Sequence, residues 1–248
     1  MRIIASMTTL PSRIDHVRLA LESVIAQSVQ VEQIDFNVPY VCHRTGEPYI
    51  IPKWLEEMRG IKIFRTEDYG PITKVAPTLL RYKDEQHTYI WSVDDDFAYP
   101  NNQLELLYRH HRPSEHRILT RHGGNFNDDG SVTFMFGEME ISMFEGFGTV
   151  LYPPLCTGDD FLDYVERSSE NPECRKNDDV VLSVYFSTRG IPIYLCNRPS
   201  ATEPFYPPGA LSFPDDKNAI SQDPEHLHRI KRIYHILKSP EFVNSLQQ

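Results

Sequence analysis

The sequence predicts an α/β fold: a mostly parallel sheet flanked by helices, with a smaller β-hairpin region later in the chain. Three observations carry this. Strand and helix signals alternate through the first hundred residues, which is the pattern of a parallel sheet with helices on both faces. The apolar strand Tyr89-Ile90-Trp91-Ser92-Val93 runs directly into Asp94-Asp95-Asp96, and in such sheets ligands bind beyond the carboxyl ends of the strands. A chain of 248 residues with 40% hydrophobic residues is long enough to bury a substantial core around that sheet.

Taken in order, Ile3 to Met7 is a short apolar strand. Ser12 caps a helix, with Asp15 as its reciprocal partner, and Ile14, Val17, Leu21, Val24 and Ile25 form an apolar stripe at helical spacing. Ile34 to Val38 and Ile61 to Phe64 read as the second and third strands, with a short helix, Pro52 to Met58, between them. A helix from about Thr73 to Tyr82 leads into the fourth strand, and Leu104, Leu107 and Tyr108 mark another helix. The second half is less regular. Asn127-Asp128-Asp129-Gly130 before Ser131 to Phe136 signals a hairpin. Pro199, Pro204, Pro207, Pro208 and Pro214 suggest a long ordered loop or lid. After Pro224 a helix resumes, with Leu227, Ile230, Ile233 and Leu237 on one face. The economical division is one domain over 1-248, in three stretches: 1-100, 101-196, and the proline-rich loop with a C-terminal helix (197-248).

The charge balance excludes some functions. With 35 Asp+Glu against 25 Lys+Arg the net charge is -10, which argues against a nucleic-acid binder. No apolar run approaches the roughly 20 residues of a membrane helix, so no transmembrane segment is expected. The opening Met1 to Thr9 turns polar too soon for a secretory signal. The four cysteines, Cys42, Cys156, Cys174 and Cys196, are widely spaced and read as free thiols. These features point to a cytoplasmic protein, peripheral to a membrane or part of a longer multidomain enzyme.

The chemistry-bearing segments lie around the aspartates. At a strand end side chains alternate, so Asp94 and Asp96 could face one side and hold a divalent ion whose shell a diphosphate completes. The plainer alternative is a solvated acidic turn. A phosphatase also begins with D-x-D after a strand, but acid phosphatases of the haloacid dehalogenase type usually place Thr or Val where this chain has Ala98. Thr8-Thr9-Leu10-Pro11-Ser12-Arg13 joins the first strand to a helix start with hydroxyls, backbone donors and a guanidinium, the needs of a phosphate or nucleotide site. In Asp68-Tyr69-Gly70-Pro71-Ile72-Thr73-Lys74 a Gly-Pro turn could present Tyr69 for base stacking and Lys74 toward ribose or phosphate. In Asn177-Asp178-Asp179 two acids open a helix whose dipole favours them, and one could serve as a general base. His110-His111 has no motif behind it and reads as solvated.

These segments, in order and together with Gly146-Phe147-Gly148-Thr149-Val150-Leu151-Tyr152-Pro153-Pro154, resemble the glycosyltransferases of the GT-A fold close to family 2. The nearest likeness is the small-domain type of large algal viruses and bacterial surface-polysaccharide clusters. It spans about residues 3 to 195. The resemblance implies that Thr8, Thr9 and Arg13 contact the nucleotide of a donor, with Asp68, Tyr69 and Lys74 lining base and ribose. It places Asp94 and Asp95 near the ribose, and makes Asp96, with Asp94, the ligand of Mn²⁺ or Mg²⁺ bridging the diphosphate. Gly146 to Pro154, Gly148 among them, would floor the sugar site. Asp179 matches the base of inverting members, and Asp178 stands where Glu is often found. A late histidine commonly completes the metal shell; His226 and His228 are the candidates here. The implied activity is sugar transfer from a nucleoside-diphosphate donor, UDP-sugar by resemblance, to a hydroxyl of a glycan or glycoconjugate acceptor. The rival readings are a phosphohydrolase using the aspartate run and a non-catalytic carbohydrate-binding domain.

Overall fold

In the main sheet six strands run one way and two the other. The structure, a computed structural model, describes residues 1–112, 115–198, 211 and 225–246. The first half contains β1 (Arg2–Met7), α1 (Arg18–Ile25), β2 (Gln33–Pro39), α2 (Lys53–Glu56), β3 (Ile61–Thr66), α3 (Ala76–Arg81), β4 (Thr88–Ser92) and α4 (Gln103–Tyr108). The second half contains β5 (Ile118–Thr120), β6 (Gly123–Phe126), β7 (Val132–Phe134), β8 (Gly137–Ile141), β9 (Met143–Phe144), β10 (Val150–Tyr152), α5 (Phe161–Glu170), α6 (Asp178–Thr188), β11 (Ile193–Arg198), α7 (His226–Lys238) and α8 (Pro240–Ser245).

The sheet order is β3-β2-β1-β4-β10-β5-β11-β8, and β7-β6-β9 form a separate antiparallel sheet. β1 to β4 are mutually parallel, β10 runs antiparallel between β4 and β5, and β8 is antiparallel to β11. The chain steps outward from β1 to β3 and then returns to place β4 on the other side of β1. That reversal makes the carboxyl ends of β1 and β4 the expected ligand crevice.

Strand alternation sorts the apolar residues into two cores. Ile3, Ala5, Met7 and Trp91 pack with α1, α2 and α4 on one face. Ile4, Ile90 and Val150 pack with α3, α5, α6 and α7 on the other. Each fully buried large side chain contributes roughly 1.5–3 kcal/mol. All four cysteines are free thiols, as their spacing implied, and all four are buried. The predicted hairpin is present: β6 and β7 pair with Phe126 opposite Val132, and Gly130 takes φ 78° in the connection.

Some expectations are corrected. Ser12 does not cap α1; residues 11–17 are turns, with Arg13 N and Ile14 N both donating to Leu10 O, and α1 starts after Val17 with no side-chain cap. The competing interaction is that of Arg13 with Asp95 and Asp96, which holds this stretch out of the helix. Ile14 and Val17 are nevertheless buried. The helix expected over 73–82 is in two pieces, a 3-10 turn (Gly70–Lys74) and α3, broken at Val75 with φ -131°. Pro77, which has no N–H to offer the Thr73 carbonyl, is the cause. On α7, Leu227 is 64% exposed and Arg229 takes its place on the buried face, near Glu173. His110 and His111 are not freely solvated: His111 Nε2 lies 2.6 Å from Tyr89 Oη, and His110 packs against Tyr194. The proline-rich segment from Pro199 to Pro214, read as a lid, lies outside the described residues apart from Leu211. Among the described residues no helix is long and apolar enough to cross a membrane.

Candidate functional site

Two loops and one helix start meet at the carboxyl ends of β1 and β4. β4 ends at Ser92, and Asp95 and Asp96 lie in a turn rather than on the strand. The strict alternation expected of the three aspartates is therefore lost, and Asp94 and Asp96 do not share a partner. Asp94 faces Lys74, whose Nζ lies 2.8 Å from Asp94 Oδ1. Asp95 faces the loop after β1: Thr9 Oγ1 donates to its Oδ2 at 2.5 Å, and Arg13 Nη1 is 3.3 Å from its Oδ1. Asp96 shares that guanidinium at 3.3 Å, and its side chain keeps 34% exposure. The Asp94 backbone N–H donates to Tyr99 Oη at 2.8 Å, and Leu211 N donates to Asp96 O at 2.7 Å.

The second acidic run joins the first through Lys74. Asn177 caps α6 by accepting from Val180 N at 2.9 Å, so Asp178 and Asp179 form the first turn, where the helix dipole favours their charge. Lys74 Nζ lies 2.9 Å from Asp178 Oδ2, an ion pair without the alignment of a hydrogen bond. Asp179 Oδ1 accepts from the Gly146 backbone N–H at 2.8 Å. Gly146 to Gly148 form a 3-10 turn leading into β10. Thr149, which follows, has φ 72°, a conformation that a β-branched residue rarely adopts.

The remaining sequence candidates are local anchors. Thr8 Oγ1 donates to Asn37 O at 2.7 Å, tying the ends of β1 and β2. Asp68 accepts from His43 N at 2.6 Å and from Gly70 N at 2.7 Å, which staples its loop, and its carbonyl accepts from Arg175. The Tyr69 ring packs against the core beside α5, where burial and then Glu166 raise its hydroxyl's pKa. His226 is half-buried and His228 exposed in the first turn of α7.

Electrostatics follow from crowding. Burial, then the neighbouring Asp94 and Asp95, push Asp96 up to about 7 against the pull of Arg13 and Lys74. Burial also raises Asp95, and Arg13 and Thr9 offset part of that. Burial, then Asp178, hold Asp179 well above the usual carboxylate range; Glu145 adds to this and Lys74 opposes it. For Lys74, burial favours the neutral amine, but Asp178, Asp94 and Asp179 outweigh it and keep the ammonium charged well above its usual range. The carboxylates thus outnumber the two cations they touch.

Among the described residues no group of three or more His, Cys, Asp or Glu side chains is arranged to hold a metal ion, and neither α7 histidine joins the aspartates in one. All three aspartates have cationic partners, Asp94 with Lys74 and Asp95 and Asp96 with Arg13, and of the three the Asp96 side chain is the most exposed, at 34%. This donor chemistry fits a hard divalent ion taking one or two carboxylates and completing its shell with phosphate and water, not one caged by protein.

Sequence reasoning missed Glu145, Tyr99 and the buried trio Ser6, Asn37 and Thr78. For Ser6 the signal was a lone polar residue in the apolar run Ile3 to Met7, whereas Asn37 follows the polar Gln33 and Asp35 in its strand and had no such mark. Glu145 had only its place before Gly146.

No family model and no curated protein matches the chain. Among solved structures it is similar to the crystal structure of 4-diphosphocytidyl-2C-methyl-D-erythritol synthase, at 10% identity and a TM-score of 0.48, over 88% of this chain and 95% of that one. That likeness assigns no residue a role; the fold rests on the strand order and pairing.

Proposed function

We propose that the chain is a metal-dependent glycosyltransferase, moving a sugar from a nucleoside-diphosphate donor, UDP-sugar by resemblance, to a hydroxyl of a glycan acceptor. One observation carries the reading: Lys74 pairs with both Asp94 and Asp178, so the aspartate run and the acidic helix start share one crevice where the strand order reverses. Arg13, Thr9 and Thr8 belong to the loop that would meet the nucleotide, with the Asp68-Tyr69 loop beside it and Gly148 in the turn beneath the sugar. Asp96 and Asp94 would hold Mn²⁺ or Mg²⁺, which when bound offsets the charge of the departing diphosphate.

Within this reading Asp179 accepts the proton of the acceptor hydroxyl as that oxygen attacks the anomeric carbon. A base works best with a pKa near the working pH, and burial beside Asp178 moves Asp179 in that direction. The Gly146 N–H fixes one of its oxygens, which leaves the other to take the proton. Attack from the face opposite the diphosphate gives inversion and no covalent intermediate.

A thermal-shift screen of nucleoside diphosphates with and without Mn²⁺ tests the donor side. A metal-dependent shift, lost in Asp96→Ala by calorimetry, is expected. Hydrolysis of a generic aryl phosphate in place of nucleotide binding would overturn the reading in favour of a phosphohydrolase.

A further inference from the structure

Ser6, Asn37 and Thr78 are polar, each with 0% exposure, and lie beneath the crevice where alanine or valine would pack at no polar cost. They form one hydrogen-bonded knot around the backbone carbonyl of Lys74. Ser6 Oγ lies 2.5 Å from Lys74 O and 2.7 Å from Thr78 Oγ1. Asn37 Nδ2 lies 2.9 Å from Thr78 Oγ1, 3.2 Å from Ser6 Oγ and 3.4 Å from Lys74 O.

The knot exists because the helix is broken. In a continuous α-helix the Thr78 N–H would bond to the Lys74 carbonyl. Here Thr78 N donates to Val75 O at 3.1 Å, so the Lys74 carbonyl is left for side chains of β1 and β2. A buried carbonyl without a partner is costly, and the knot satisfies it. It thereby fixes the point from which the Lys74 side chain sets out toward Asp94 and Asp178.

We propose that Thr78, acting with Ser6 and Asn37, is a positioning residue for Lys74: the knot holds the break at Val75 in the one geometry that puts the ammonium between the two acidic runs. Its functional weight rests on the transferase reading above, but the position itself is tested without substrate. Lys74 acylation by an N-hydroxysuccinimide acetate is read by mass spectrometry relative to Lys53, which is 85% exposed. Thiol reactivity of the four buried cysteines in the same samples reports whether each variant is folded.

In the unaltered protein Lys74 should label roughly tenfold more slowly than Lys53. Thr78→Val, which keeps the shape and removes the hydroxyl, should raise the ratio about fivefold, the factor one lost hydrogen bond is worth. Thr78→Ser should restore the original ratio. Ser6→Ala repeats the test at the other end of the knot if Thr78→Val exposes thiols. An unchanged ratio in folded Thr78→Val or Ser6→Ala overturns the proposal, as would exposed thiols in both, which would make the knot purely structural. UDP binding with Mn²⁺, measured on the unaltered protein, separates the two readings: its absence counts against transfer and leaves the labelling result standing.

Discussion

Gly146 donates its backbone N–H to Asp179 Oδ1 at 2.8 Å, and a Cβ on Gly146 would sit 2.7 Å from that same oxygen and 2.9 Å from Lys74 Nζ. A methyl group here would have to push aside the ends of two side chains, the Asp179 carboxylate and the Lys74 ammonium. Gly146→Ala is therefore expected to fold but to turn Asp179 aside, lowering transfer about 10²-fold, the usual cost of a misplacement near 1 Å. Steady-state kinetics beside a thermal melt check this; full turnover in the variant would remove the contact from the mechanism.

Lys74 is 10% exposed in its side chain and pairs with Asp94 and Asp178, themselves largely buried. Lys74→Met would leave these carboxylates without their shared cation. Breaking a buried pair on one side costs about 3–5 kcal/mol, and urea denaturation at pH 7 should read a loss of that order. Adding Asp178→Asn should recover part of it, because one stranded charge is then removed.

The pH dependence has a definite sign. Asp96 sits at about 7 in the folded protein against an ordinary 3.8. Below 3.8 it is protonated in both states and costs nothing. Between 3.8 and 7 the unfolded chain sheds the proton more readily, so stability falls as pH rises, and above 7 the penalty is complete. Because the side chain keeps 34% exposure, solvent screens much of it. Without divalent metal, Asp96→Asn should gain about 1 kcal/mol at pH 8, or roughly 2–4 °C in Tm, and nothing at pH 4. Calorimetric melts at both pH values decide the point.

Asp179→Asn keeps the size and the Gly146 contact while removing the basic oxygen. Donor affinity by calorimetry should be unchanged and transfer should fall about 10²–10⁴-fold, the range general-base catalysis supplies. Retention at the anomeric carbon, read by NMR of the product, would take Asp179 out of the role.

Much of the fold was legible because local pattern and burial agree in the first half. Ile3, Ile4, Ala5 and Met7 are as apolar as the two cores require, and β2, β3 and β4 fall within a residue or two of their predicted spans. Two helix starts were misread for different reasons: Ser12 lost its helix to Arg13's aspartates, a site contact overriding local preference, while the 73–82 helix broke at a local signal, Pro77, that the apolar spacing masked. Leu227 was misjudged because periodicity cannot tell that Arg229 lies on the buried face with Glu173 as an ion-pair neighbour. The five site aspartates were legible as residue types in a pattern. Their pairing through Lys74 was not, since Asp94 and Asp178 are 84 residues apart in sequence and no spacing rule links a lysine to both.

The antiparallel β10 has a consequence for how the molecule is made. Among the described residues β5 has β10 and β11 as its sheet neighbours, so the strand emerging at residues 118–120 joins β4's side of the sheet through residues 150–152, which are made later. Until then β4 presents an open edge, beside the parallel strands β1, β2 and β3. The seam between β4 and β10 is closed late, so a chain stalled before residue 150 would carry Lys74 and the aspartates that follow β4 but not Asp178, the second acidic partner of that lysine.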